Sequence, residues 1–145
     1  MHTPPRSDWK AFAQETFEAA PFVRFVGYRL VGLEPGICRS ALDLRPEHFQ
    51  QNGVVHAGVQ ATLLDHTAGT AAATLAPEGR FILTVEFKTN LLRGALGPRL
   101  ACRAEIVKPG RTIVLAEARL YDVSDGGEAL ASTATVTLMN VAGRG

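Results

Sequence analysis

The sequence predicts an α+β domain in which one curved antiparallel sheet wraps around a long central helix. Three observations lead there. The chain has 145 residues, 46% hydrophobic and 20% charged, which suits one domain with one sizeable core. One segment, His56 to Leu75, is apolar or small on nearly all faces, the mark of a buried helix. Around it lie segments with strand character joined by short turns, and short links imply antiparallel neighbours.

Taken in order, Asp8 to Ala19 reads as an amphipathic helix. Ser7 is its N-cap, Trp9, Phe12 and Phe17 supply its apolar contacts, and Pro21 stops it. Val26 to Leu33 reads as a strand, Glu34-Pro35-Gly36 as a turn, and Ile37 to Leu44 as the returning strand. Pro46 and the polar stretch Glu47 to Gly53 form a loop. The apolar helix carries Gly58 and Gly69, whose small size lets another backbone come close. Four strands follow. Phe81 to Leu92 alternates, with Leu83, Val85, Phe87 and Leu91 on one face, and Leu100 to Val107, Thr112 to Val123 and Ala129 to Met139 complete the set. The links Lys108-Pro109-Gly110-Arg111 and Ser124-Asp125-Gly126-Gly127 are hairpin-like. There is no repeat and no linker, so residues 1–145 form a single domain with its core at about 22–139.

Composition excludes several function classes. Fifteen Lys and Arg against fourteen Asp and Glu leave a formal charge of +1, without the basic excess of a nucleic-acid-binding protein. A polyanionic small molecule would have to be held by a few local Arg or Lys residues. Cys38 and Cys102 lie far apart in alternating apolar segments, which suits reduced core thiols and a cytoplasmic location. No signal peptide and no membrane span is expected.

Two features of the central helix bear on chemistry. Its N-terminus, Ala57 and Gly58, is made of small residues. Helix N-termini expose unpaired N–H groups that can hold a carbonyl oxygen as it becomes anionic, although a tight loop-to-helix contact explains small residues equally well. The second feature is Asp65, a carboxylate in the middle of an apolar helix. Such groups serve as bases or nucleophiles, and otherwise pair with a basic residue or a neighbouring loop. Ala57 and Asp65 are eight residues apart, about 12 Å along a helix axis, so one chain cannot bring both to one carbonyl. If both are catalytic, Ala57 of one subunit works with Asp65 of another in a two-fold dimer. His56 is either an acid–base group or, on the favoured reading, a side chain that orders the loop. His66 points elsewhere from Asp65 and is read as packed or interfacial. His56, Asp65 and His66 share no ligand face, so no metal is expected.

The pattern Gln50…Gly53…His56-Ala57-Gly58…Leu64-Asp65…Gly69, with Asp65 nine residues after His56, resembles the hotdog-fold thioesterases of the phenylacetate-pathway type. The resemblance covers roughly Phe22 to Met139. It implies hydrolysis of an acyl-CoA to free acid and CoA, with no cofactor beyond the substrate itself, by a homodimer or a dimer of dimers. It assigns Asp65 as nucleophile or general base and Gln50 to the thioester carbonyl or to water. His56 stands beside them, Ala57 takes the oxyanion position usually held by Gly, and Thr84 supports the acid across the dimer. It implies substrate contacts from Asn52, Gly58, Gly69, Arg93, Arg103 and Arg111, with Arg111 near the nucleotide. Hotdog folds also host acyl-thioester hydratases and dehydratases, and a non-catalytic acyl-CoA-binding protein is a further alternative. His56 at the helix start, with Asp65 alone in the helix, favours hydrolysis.

Overall fold

The computed structural model describes residues 2–143. It starts with two helices where the sequence suggests one. Helix α1 spans Trp9–Glu18 and α2 spans Pro21–Val26. Ser7 is not the cap of α1. Asp8 holds that position, and its carboxylate accepts from the Arg6 guanidinium at 2.6 and 2.8 Å rather than from a helix N–H. Pro21 does separate the helices, but it sits in the first turn of α2, where a missing N–H is harmless. Gly27, at φ 99°, closes α2 in the left-handed conformation that glycine adopts without strain. Val26 is therefore helical, and the first strand begins three residues later than expected.

The strands are β1 (Arg29–Glu34), β2 (Ile37–Asp43), β3 (Arg80–Leu91), β4 (Arg99–Lys108), β5 (Ile113–Ser124) and β6 (Gly127–Ala142). A 3-10 turn occupies Pro46–His48, and α3 spans Ala57–Ala73. All six strands form one antiparallel sheet in the order β1-β2-β4-β5-β6-β3. The β1–β2, β4–β5 and β5–β6 hairpins are those expected from the short turns. Strand β3 pairs with β6 instead of its chain neighbour β4, because the chain crosses beneath the sheet as α3 and re-enters at the far edge.

Helix α3 lies along the inner face of the sheet, so it is buried nearly all round. Leu63, Leu64, Ala68, Ala71 and Ala72 pack against Cys38, Leu42, Leu100, Leu120, Val136 and Leu138 in one core. Both cysteines are unpaired and buried there, as their apolar surroundings suggest. A buried polar contact at the centre, Ser40 Oγ with Thr67 Oγ1 at 2.6 Å, is satisfied within the core. On its other side α3 is covered by α1. The Phe17 and His66 rings meet tilted at 56° with centroids 4.7 Å apart, and the His66 Nε2–H donates to the Phe17 carbonyl at 3.0 Å. Burial holds the His66 pKa below its ordinary value, which fits the packed role read from the sequence. Among the described residues no helix is long and apolar enough to cross a membrane.

The expected face pattern of β3 is corrected by a bulge. Thr84 is opposite Leu138 and Glu86 is opposite Thr137, so Val85 is the extra residue. An added residue reverses which face each side chain takes. Leu83, opposite Met139, therefore faces outward, while Phe87 and Leu91, opposite Val136 and Ser132, face the helix side. The same reversal carries Thr84 to the helix side.

Candidate active site

The loop before α3 is fixed by hydrogen bonds. The Gln50 N–H donates to Val54 O at 2.8 Å and the Gly53 N–H to Gln50 O at 3.0 Å, with Gly53 at φ 81°. The Val55 N–H donates to Ala95 O at 2.9 Å. The Gln50 side-chain oxygen accepts from the Asn52 N–H, so Asn52 contributes backbone to the turn while its side chain is exposed. Buried His48, overlooked in the sequence, anchors the loop. Its Nδ1 accepts from the Arg45 N–H at 3.0 Å and its Nε2–H donates to Val26 O at 2.8 Å.

His56 is the N-cap of α3. Its Nδ1 accepts from the Gly58 N–H at 2.9 Å, so it orders the helix start, as the favoured reading held. A Cβ at position 58 would lie 3.0 Å from that nitrogen, which explains the glycine there without reference to substrate. Among the described residues, the exposed Ala57 N–H has no acceptor. It points from the positive end of a 17-residue helix.

This helix end forms one wall of a cleft of about 490 Å³ lined by Gln50, Val54, Ala57, Gln60, Leu91 and Arg93, among others. Gln60 is a site residue that the sequence reading missed. It is 3% exposed, its Nε2–H donates to Val55 O at 3.3 Å, and its Oε1 has no partner. An unpaired buried carbonyl costs about 1–3 kcal/mol, so a bound group with a donor would be favoured there. The sequence signal is a polar residue one turn after Ala57 in a largely apolar helix.

The second element is Asp65, half-buried on α3, whose Oδ1 accepts from the Thr84 hydroxyl at 2.7 Å. This contact lies within one chain, which corrects the expectation that Thr84 reaches the acid across a dimer. The β3 bulge is the reason, since it turns Thr84 onto the helix side. Burial pushes the Asp65 pKa above the ordinary Asp range, while the Thr84 hydrogen bond and nearby His66 pull the other way. The sign of a Thr84→Ala effect follows. Losing a bond to the charged form raises the Asp65 pKa further, so the acidic limb of the pH–rate profile should move to higher pH while the alkaline limb stays. A profile of kcat/KM for both proteins checks this; an acidic limb that stays or moves down would exclude the role.

The remaining expected residues are dispersed. Arg93 lines the cleft. Arg103 lies on the sheet face opposite α3 and pairs with Glu105 at 3.2 Å, away from the cleft of its own chain. Arg111 is exposed in the β4–β5 turn, where its carbonyl accepts from Asn140 Nδ2 at 3.3 Å. Gly69 is one turn beyond Asp65, and its nearest side-chain neighbour is Leu138. Among the described residues, no three His, Cys, Asp or Glu side chains converge as a metal site. One chain thus carries two separate clusters, the cleft at the start of α3 and the Asp65–Thr84 pair, and Asp65 does not line the cleft.

The fold and sequence have counterparts among known proteins. A family model described as the thioesterase superfamily matches residues 52–129, which include both the helix start and Asp65. A crystal structure of a thioesterase family protein from Silicibacter pomeroyi is 40% identical, covering 93% of this chain and 99% of that one at a TM-score of 0.90. A structure from Mycobacterium tuberculosis, provisionally named an esterase, is 30% identical over 87% of this chain and 100% of that one, with a TM-score of 0.77. A protein of Halobacterium salinarum, also provisionally named an esterase, is 31% identical over 84% of this chain and 83% of its own length.

Proposed function

The chain belongs to the thioesterase superfamily, and from that premise we propose that it hydrolyses acyl-CoA thioesters at sites shared between two subunits. The observation that carries this reading is the separation of the two clusters on one helix. The free Ala57 N–H and the Asp65 carboxylate are eight residues apart, about 12 Å along the axis, too far to act on one carbonyl.

The sheet supplies a way to join them. Strand β3 is an edge strand whose Leu83, Val85, Phe87 and Leu91 are all exposed, and unpaired apolar edges associate with other strands. Thr84 and Asn90 lie equally far from Phe87 on this strand. Antiparallel pairing of two β3 edges about Phe87 sets Thr84 of one subunit beside the partner's Asn90. That position adjoins Leu91 and Arg93, which line the cleft. Each subunit then offers its Asp65 to the cleft of the other.

In the resulting site the thioester oxygen takes the Ala57 N–H, which stabilises the negative charge of the tetrahedral intermediate. Asp65 either removes a proton from attacking water or attacks the carbonyl carbon itself. On both routes the C–S bond breaks, the thiolate leaves as CoA and takes a proton, and water supplies the second acid oxygen. Gln50 borders the same cleft and orients the carbonyl or the water. Arg93, which lines the cleft, would meet the anionic end of CoA.

A thiol-release assay over a panel of saturated acyl-CoAs tests the reaction. Release of CoA thiol is expected, and its absence across aromatic, short and medium acyl groups would reject the proposal. A hydratase would release no thiol and would need an enoyl or hydroxyacyl group.

A further inference from the structure

Gln50 and Gln60 both border the cleft, but they are engaged in opposite senses. The Gln50 side-chain oxygen accepts from the Asn52 N–H, and among the described residues its amide nitrogen donates to none. Gln60 is the reverse. Its Nε2–H donates to Val55 O at 3.3 Å, and its Oε1 has no partner. Gln50 thus has hydrogen-bond donors to spare, whereas Gln60 offers an acceptor. Free acceptors are scarce on this wall. The other side chains there that can accept are those of Gln51 and His56. His56 Nδ1 already accepts from the Gly58 N–H, which leaves a donor on its other ring nitrogen. Gln51 is exposed, so bulk water satisfies it. Gln60 is the first residue of the buried stripe that continues through Leu63, Leu64 and Thr67. An apolar side chain would extend that stripe, whereas a buried carbonyl without a donor is unfavourable until a bound molecule supplies one.

We propose that Gln60 is a further catalytic residue, whose Oε1 accepts a hydrogen bond from the attacking water, while Gln50 donates to the thioester oxygen beside the Ala57 N–H. This rests on the thioesterase reading above and narrows it. Attacking water has two hydrogens, and the base takes only one of them. The other needs an acceptor that holds the water oxygen toward the carbonyl carbon. Gln60 lies three residues after Ala57, about 4.5 Å along the axis, and residues so spaced are neighbours on a helix surface. A water on its oxygen is therefore beside a carbonyl held at the helix start. The water oxygen bonds to the acyl carbon, and its first proton passes to the partner's Asp65. The C–S bond breaks, and the thiolate takes that proton as it leaves. The second hydrogen stays on the new acid, still directed at Gln60.

Methanol separates this role from a structural one. It attacks as water does, but it carries a single O–H, so it needs the base and no second acceptor. Gln60→Met keeps the side-chain length and removes the acceptor, and Gln60→Leu matches the rest of the stripe. In both, kcat for hydrolysis should fall about tenfold or more, as for the loss of one hydrogen bond, with KM within a few-fold of wild type. With methanol added, the ratio of methyl ester to free acid should rise by a similar factor, because ester formation does not depend on Gln60. The melting temperature should stay equal or rise, since an unpaired buried oxygen has gone. Wild-type kcat in either folded variant, or a slower variant whose ester-to-acid ratio matches wild type, would overturn the inference. A wild type that releases no thiol from any acyl-CoA would overturn the parent reading and this one with it, an outcome distinct from both.

Discussion

Ala57→Pro is expected to lower kcat by about 10²–10³-fold while leaving the protein folded, the loss typical of removing one oxyanion donor. Proline has no N–H, so the substitution deletes the donor itself, which no ordinary side-chain change can do. The local backbone suits it. Position 57 is the first residue of α3, where proline is tolerated because that N–H has no helical partner. His56, the preceding residue, has ψ 136°, away from the helical value that a following proline disfavours. The His56 Nδ1 bond to the Gly58 N–H is unaffected, so the cap remains. Two companion variants separate loss of the donor from added bulk. Ala57→Gly keeps the N–H and should stay within a few-fold of wild type. Ala57→Val keeps the N–H and adds more volume than the parent methyl. If Ala57→Val falls as far as Ala57→Pro, bulk explains the loss and the donor role is wrong. A proline variant with wild-type kcat would exclude the role directly.

The parts of this site that were legible in the sequence are those governed by position along one helix. The interval from His56 to Asp65, the small helix start and the all-round apolar pattern of α3 could be read because helical periodicity is local. The same periodicity showed that Ala57 and Asp65 cannot meet within one chain. What escaped was set by contacts between distant segments. His48 looked like an ordinary loop residue, and its role depends on the carbonyl of Val26, twenty-two residues earlier. Gln60 could be seen as polar, but its unpaired oxygen depends on the fold of the preceding loop around Val55. The β3 bulge has no residue signal, since Val85 is a good strand residue on either side of it. Missing that bulge gave the wrong face to Leu83 and hid the reason for the Thr84–Asp65 contact. At the N-terminus, Pro21 carries two meanings, end of one helix and start of another, and the extended stretch after Gly27 could not choose between them in advance.

Asp65→Asn should lower kcat/KM by at least about 10²-fold, the scale of a lost general base, and the amide cannot act as a nucleophile on the other route. Stability should change the opposite way, and the sign follows from the shift. Burial raises the Asp65 pKa in the folded chain above its unfolded value. Folding therefore favours the protonated acid, and stability falls as pH rises from the unfolded pKa through the folded one. At neutral pH the native protein carries that penalty, whereas the neutral amide does not, and Asn can still accept from Thr84. Tm at pH 7 should be equal or higher in the variant, and the difference should vanish in acid. An inactive variant with a sharply lower Tm would instead mark a structural role. Pairing this variant with Ala57→Pro tests the shared site itself. In a mixed dimer, one site joins an intact cleft to an intact Asp65 and the other carries both lesions. Random exchange of equal amounts gives about half mixed dimers, so activity should recover to about one quarter of wild type. If each chain instead housed a complete site, every chain in the mixture would carry a lesion and no activity would return. Recovery after unfolding and refolding the two inactive proteins together, but not separately, would thus place Ala57 and Asp65 on opposite sides of a subunit boundary.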